Sequence, residues 1–274
     1  MQTPLLFAAI ALYLLCAALP SRRAVLISGL TAAAWLLHGA GLWSEVAGFP
    51  ATGAGAGSIR IGFAAMLSSA LWVSVAAYWI ENQNFSLDGM RRLVMPNAAL
   101  AAALQLGFPG SVIPLEDKSP LFGWHIAIAT LAYSTLTVAA FHAVLMALQE
   151  KRLHAGTDSK SFMSGALDRL PALLTMEKLL FRMIGIGFAL LSLTVLSGIV
   201  FSEQLFGQAL KWDHKSVFTL MSWVLFAALL AGRRFRGWRG KTALSFTLAG
   251  FATLLLAYVG SRFVFEVVLH KGWA

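Results

Sequence analysis

The sequence predicts an all-α, polytopic integral membrane protein: a bundle of about eight transmembrane helices with both termini outside. Three observations lead there. Of 274 residues, 58% are hydrophobic and only 12% charged, about half the roughly 25% charge of ordinary soluble domains. Apolar runs close to the ~20 residues that a helix needs to cross a bilayer recur along the whole chain. None shows the strict alternation of a barrel strand, so helices are what satisfies the backbone in lipid.

The runs fall near 3–19, 24–43, 60–80, 91–107, 121–149, 179–201, 215–232 and 241–269. The first, Leu5 to Leu19, has the look of a signal-peptide core. No positive charge precedes it, however, and Arg22 and Arg23 follow it, so it reads as a retained helix entering from outside. The fifth and eighth exceed the length of a crossing and are expected to tilt or project. PATGAGAGS (Pro50–Ser58) reads as a flexible external connection. The 150–178 connection, with SFMSGALDRLPALLTMEKLL, mixes charge and apolar residues at helical spacing. It is expected to lie along the cytoplasmic interface as an amphipathic helix, with Pro171 as a kink or boundary. The chain reads as a single membrane domain over 1–274, with four spans in 1–110 and four in 121–274.

Orientation follows from lysine and arginine placement. Arg22, Arg23, Arg91, Arg92, the basic residues of 150–182 and the RRFRGWRGK run (Arg233–Lys241) fall on one side, 15 of the 21 basic residues. Arg60, Lys118, Lys211, Lys215, Arg262 and Lys271 fall on the other. The acidic residues divide evenly, so the whole net charge of +9 sits on one face, which is therefore cytoplasmic. This bias and contact with anionic membrane lipid account for the basic balance, and no nucleic-acid partner is expected. Cys16 is the only cysteine, which leaves no disulfide, CxxC pair or thiolate cluster. The sequence holds no P-loop, dinucleotide fingerprint or HExxH.

With that topology, four of the six histidines fall on or near the outer face. His125 opens span five, His270 closes span eight, His214 lies between spans six and seven, and His38 sits in the outer half of span two. His142 and His154 belong to the cytoplasmic half. Two imidazoles on facing helices can clamp a haem by its iron. Nearby Trp43, Trp124, Trp212 and Trp273 could pack on the ring, though an aromatic belt would also put them at the interface. Lysine and arginine can meet haem propionates. Arg262, Glu266 and His270 stand at i, i+4 and i+8, one stripe of a regular helix. Glu266 is expected to pair with Arg262 and to orient the His270 ring; snorkelling of Arg262 is the simpler alternative.

The segment WDHKSVFTLMSW places Trp212, Asp213, Lys215 and Trp223 after a polar island. It is followed by Arg236-Gly237-Trp238-Arg239-Gly240 and by a last helix ending Leu269-His270. With His125 and Tyr133 in the preceding pair of helices, this pattern resembles the cytochrome c assembly family, the CcsA/CcmC-type haem-handling membrane proteins. The likeness covers roughly 121–274; the first four spans match in number and character. SEQLFGQALK lacks the further tryptophans that precede Trp-Asp in haem lyases, and no large external domain interrupts the chain. The compact HemX/YpjD-like branch is the nearer match.

The resemblance implies haem as the cofactor, with His125 and His270 as axial ligands of its iron. Trp212 and Asp213 would lie in the haem-presenting segment and His38 on the haem path. It also implies an inner (cytoplasmic) membrane of bacterial type and other membrane or cytochrome c assembly proteins as partners. With no bond-making residue identifiable, the expected role is binding and presentation of haem rather than catalysis. The competing expectation is a regulatory or accessory membrane protein of the same fold without haem delivery. Transport of a small solute would need mid-membrane polar residues, and few spans offer them beyond Ser, Thr and His38.

Overall fold

The computed structural model describes residues 2–46, 58–85, 87–114, 119–155, 167, 170–203 and 213–268. Among the described residues, eight helices lie at the expected spans: α1 (Gln2–Ala18), α2 (Ala24–Val46), α3 (Phe63–Asn82), α4 (Asp88–Gly107), α5 (Pro120–Ala155), α6 (Leu173–Val200), α7 (His214–Arg236) and α8 (Gly240–Leu255). Six are long and apolar enough to cross a membrane. The other two differ for evident reasons: α1 is a shorter apolar helix, and α4 opens with Asp88, Arg91 and Arg92.

Small residues let these helices approach, as packing in lipid requires. α5 is the hub, against α3, α4, α6 and α8. Its Ala132, Ala139 and Ala143 are fully buried. At Gly187 of α6 an added Cβ would lie 2.6 Å from the Leu136 side chain, which would have to shift, so glycine favours the close approach of the two helices. α2 meets α3 through Trp35 and Trp72, stacked at 4.8 Å and 6°. Each indole donates to the other's carbonyl, at 3.1 and 2.9 Å.

Two features depart from the expected topology. Residues 58–61 are not the start of a span but a strand, β1 (Ser58–Ile61), paired antiparallel with β2 (Ser111–Pro114). The β-branched residues of SIRI and SVIP suit this ribbon. It ties the α2–α3 connection to the α4–α5 connection at the face read as outer. Gly110 turns into β2 at φ +73°, where a Cβ would also strike Ile61 O at 2.7 Å. Residues 50–57, expected to be flexible, lie outside the described residues.

The 150–178 connection is also shorter than expected, because α5 runs on to Ala155 and α6 starts at Leu173. Of the expected interfacial helix, residues 161–166 and 168–169 lie outside the described residues, and its last part belongs to α6. Pro171 is a boundary rather than a kink: it precedes α6 by two residues, and its carbonyl accepts from Gln149 Nε2 at 3.2 Å.

At the ends read as cytoplasmic, arginines hold helices together. Arg91 of α4 is fully buried; it donates to Cys16 O and, at 3.0 Å, to Leu19 O at the end of α1. Glu177 of α6 receives Arg233 of α7 at 2.7 Å and Arg239 at 3.1 Å. Between those arginines, α7 ends in a left-handed Gly237 (φ +66°). Trp238 N–H then returns to Gly232 O at 3.2 Å, a glycine stop that satisfies the last carbonyls. The Trp238 ring lies over Gly232, which has no room for a Cβ. The basic turn is thus a folded corner, in addition to an orienting charge.

Candidate functional site

The site is built at the ends of α5, α6, α7 and α8 that the charge bias reads as outer, where polar groups gather. His125 stands on the second turn of α5. Its neighbours Phe122 and Ile126 pack with Ile61 of β1 and with Tyr258 beyond α8. This anchors one side of the turn and leaves the imidazole, half-buried, toward α6. There His125 Nδ1 lies 2.8 Å from Ser197 Oγ, and Gly198 offers bare backbone beside the ring. Trp124, one residue earlier, is 69% exposed, as an aromatic belt residue should be.

α8 does not continue as a regular helix. It widens into π turns at Leu256–Gly260 and Val264–Val268, with Ser261–Phe263 between them. Bonding from i to i+5 widens the turn, and such turns recur at functional sites. Tyr133 of α5 donates its hydroxyl to Leu254 O at 3.0 Å, just ahead of the first π turn. The Tyr133 noted in the sequence therefore ties α5 to α8. The π turns also change the expected stripe: i, i+4 and i+8 share one face only in a continuous α-helix. Arg262 is 7% exposed, its guanidinium 6.0 Å above the Tyr258 ring. The Glu266 side chain and His270 lie outside what the structure describes.

Across from α8, α7 begins at the polar island. Asp213 caps it: its carboxylate accepts the Ser216 amide at 2.9 Å, satisfying one of the amides a helix start leaves open. Asp213→Ala is expected to cost about 1 kcal/mol and Asp213→Asn much less. Hydrogen exchange at the Ser216 amide checks this, and equal protection in all three proteins would refute the cap. Lys215, on the first turn, lies within electrostatic range of both the Asp213 carboxylate and the Arg262 guanidinium. Two cations from different helices thus share the outer end. Trp212 lies outside the described residues, and His214 is exposed.

His38 is placed elsewhere, fully buried among α1, α2 and α3. Both ring nitrogens are engaged, Nε2 with Ser68 Oγ at 2.7 Å and Nδ1 with Tyr13 OH at 3.2 Å. In this packing it acts as a tie between helices rather than an open ligand. His142 faces Glu81 at 3.5 Å in the half read as cytoplasmic, and His154 is exposed. The structure therefore groups His125, Asp213, Lys215 and Arg262 at one end and separates His38 from them.

Sequence reasoning missed Ser197 as a partner of His125, and it took Asp213 for a ligand-facing group without its capping role. Asp213 carried a signal, an aspartate just ahead of an apolar helix. Ser197 carried none, since its partner is 72 residues away. Between α3, α5 and α8 lies a cavity of about 10 Å³ lined by Tyr133 and Tyr258. That is room for one water and far too little for a macrocycle. Among the described residues no three His, Cys, Asp or Glu side chains converge on a metal site.

Comparison with known proteins matches residues 3–269 to the family described as Cytochrome C assembly protein. The inner membrane protein YpjD of Escherichia coli K12 is 30% identical over 176 residues, 64% of each chain. The cytochrome c biogenesis protein CcsA of Guillardia theta is 28% identical over 166 residues, 57% of this chain and 55% of the relative. CcsA of Pyropia yezoensis is 25% identical over 235 residues, 71% of this chain and 72% of the relative. The chain thus spans less than two thirds of the length of the first two relatives. No solved structure matches. The apolar helices and this kinship make the chain a multi-pass inner membrane protein. With nearly the whole chain matched, it belongs to the cytochrome c assembly protein family.

Proposed function

We propose that the chain serves cytochrome c biogenesis by holding haem at the outer face of the membrane, with His125 and His270 as the axial ligands. The observation that carries this reading is the outer-end cluster. An imidazole is anchored by one ring nitrogen beside α6, and at the same end the Lys215 ammonium feels both the Arg262 guanidinium and the Asp213 carboxylate. Such donors fit the group: imidazole suits haem iron, and paired cations suit its two propionates.

The chain's own residues supply placement. The Phe122 and Ile126 packing fixes the height of His125, the Asp213 cap fixes the first turn that bears Lys215, and the π turns set the position of Arg262. Trp212 would cover an edge of the ring. His38 would serve the approach of haem through the bundle only if its bonds to Ser68 and Tyr13 opened. Haem is cargo in this reading, and no group is required to make or break a bond.

The test is the absorption spectrum of the protein purified in mild detergent, with and without added haem. A Soret band is expected in the wild type and its loss in a His125→Ala, His270→Ala double variant. A wild type that shows no band even with haem supplied would overturn the proposal in favour of the accessory role.

A further inference from the structure

We propose that Ser197 is the positioning residue that fixes His125 as its Nδ1–H tautomer, which puts the ring's lone pair on Nε2, the atom a metal centre would take. The link to haem rests on the proposed function; the tautomer itself does not.

The argument is one of proton counting. Ser197 Oγ lies 3.0 Å from Thr194 O within α6 and 2.8 Å from His125 Nδ1 on α5. A carbonyl can only accept, and a hydroxyl has one proton to give. When that proton goes to Thr194 O, the oxygen has only lone pairs left for His125, and Nδ1 must be the donor. A neutral imidazole with a proton on Nδ1 has none on Nε2.

The same helix contains an unambiguous version of this arrangement. Ser192 Oγ donates to Phe188 O at 2.8 Å and accepts from Trp223 Nε1 at 2.8 Å. An indole N–H can only donate, so the direction there is certain. Ser197 stands five residues on along α6 and repeats the pattern with a ring of α5 in place of one of α7. Gly198 adds the fit: a Cβ there would sit 3.7 Å from His125 Cε1, so the Nδ1–Cε1 edge rests against α6. Ligating histidines commonly give their second N–H to a fixed acceptor, which sets the tautomer and the ring plane.

The experiment is nitrogen-15 NMR of the full-length protein, labelled at histidine, without haem. His125→Gln assigns the resonances, and Ser197→Ala and Ser197→Thr are compared with the wild type. The wild type and the threonine variant are expected to show His125 protonated on Nδ1, and the alanine variant to move toward Nε2–H. An Nε2–H tautomer in the wild type, or no change in Ser197→Ala, would overturn the inference. Haem titration then separates the two claims. If the wild type takes up haem, Ser197→Ala should weaken it about 10- to 100-fold, with the reduction potential shifted and both restored by threonine. Undiminished affinity and an unmoved potential would refute the positioning role. Absence of haem uptake by the wild type would refute the proposed function while the NMR result decides the tautomer.

Discussion

Replacing Arg91 by alanine is expected to destabilise the protein by about 4 kcal/mol, within the range for leaving one partner of a buried ion pair alone. The reason lies at the end of α1. Its final carbonyls have no amides of their own, and Cys16 O and Leu19 O receive the Arg91 guanidinium instead. The same group stands 3.7 Å from Asp88 and is fully buried. Truncation removes a donor from the buried Cys16 carbonyl, costing about 1–3 kcal/mol, and one from the part-buried Leu19 carbonyl, and also empties the space the side chain filled. A cation is favourable at a helix C-terminus besides. Arg91→Lys keeps the charge and one or two donors, so it should recover part of the loss. Thermal unfolding in detergent reads the effect. A fall in Tm below about 3 °C for the alanine variant, equivalent to roughly 1 kcal/mol, would contradict it.

The second large effect is expected at Glu177. Glu177→Gln keeps shape but removes the charge that receives Arg233 and Arg239. The carboxylate is 9% exposed, while the arginines are 33% and 53% exposed. The expected cost is therefore about 2 kcal/mol, below that of a fully buried pair. The corner should loosen as a unit: Arg233 also lies 4.6 Å over Phe181 and donates to Trp238 O at 3.3 Å. Trypsin cleavage in the 233–241 turn should rise. In a cycle with Arg233→Gln, the second change should add less than it costs alone. Strict additivity would show that the ion pair does not hold the corner.

These two arginine sites show where sequence reading stops. The positions of all eight helices were legible because apolar length is a property of one segment. Arg91 and Arg233 were read only as charges that orient the chain, since the positive-inside rule needs no partner. Their use as ties depends on Cys16, Leu19 and Glu177, which are distant in sequence and brought near only by packing. The β1–β2 ribbon was hidden for a related reason: four-residue strands beside apolar runs have no period of their own to stand out. At the candidate site, His125 was legible from its place at a span's outer end, while its partner Ser197 was not. The expected Arg262–Glu266–His270 stripe assumed a regular helix, and no residue pattern announced the π turns that replace it.

His38 makes the complementary point. A histidine inside a span invites a functional reading, yet its two nitrogens are fully occupied by Ser68 and Tyr13. Polar residues on three helices met the cost of its burial, and only their juxtaposition reveals this.

The most direct test of haem ligation is chemical rescue of His125→Gly. The wild type loaded with ferric haem should show a six-coordinate, low-spin spectrum from two imidazoles. His125→Gly should lose it and regain it when free imidazole fills the vacated ligand position. A variant that keeps the low-spin spectrum without imidazole would show that His125 is not the ligand and would contradict the account.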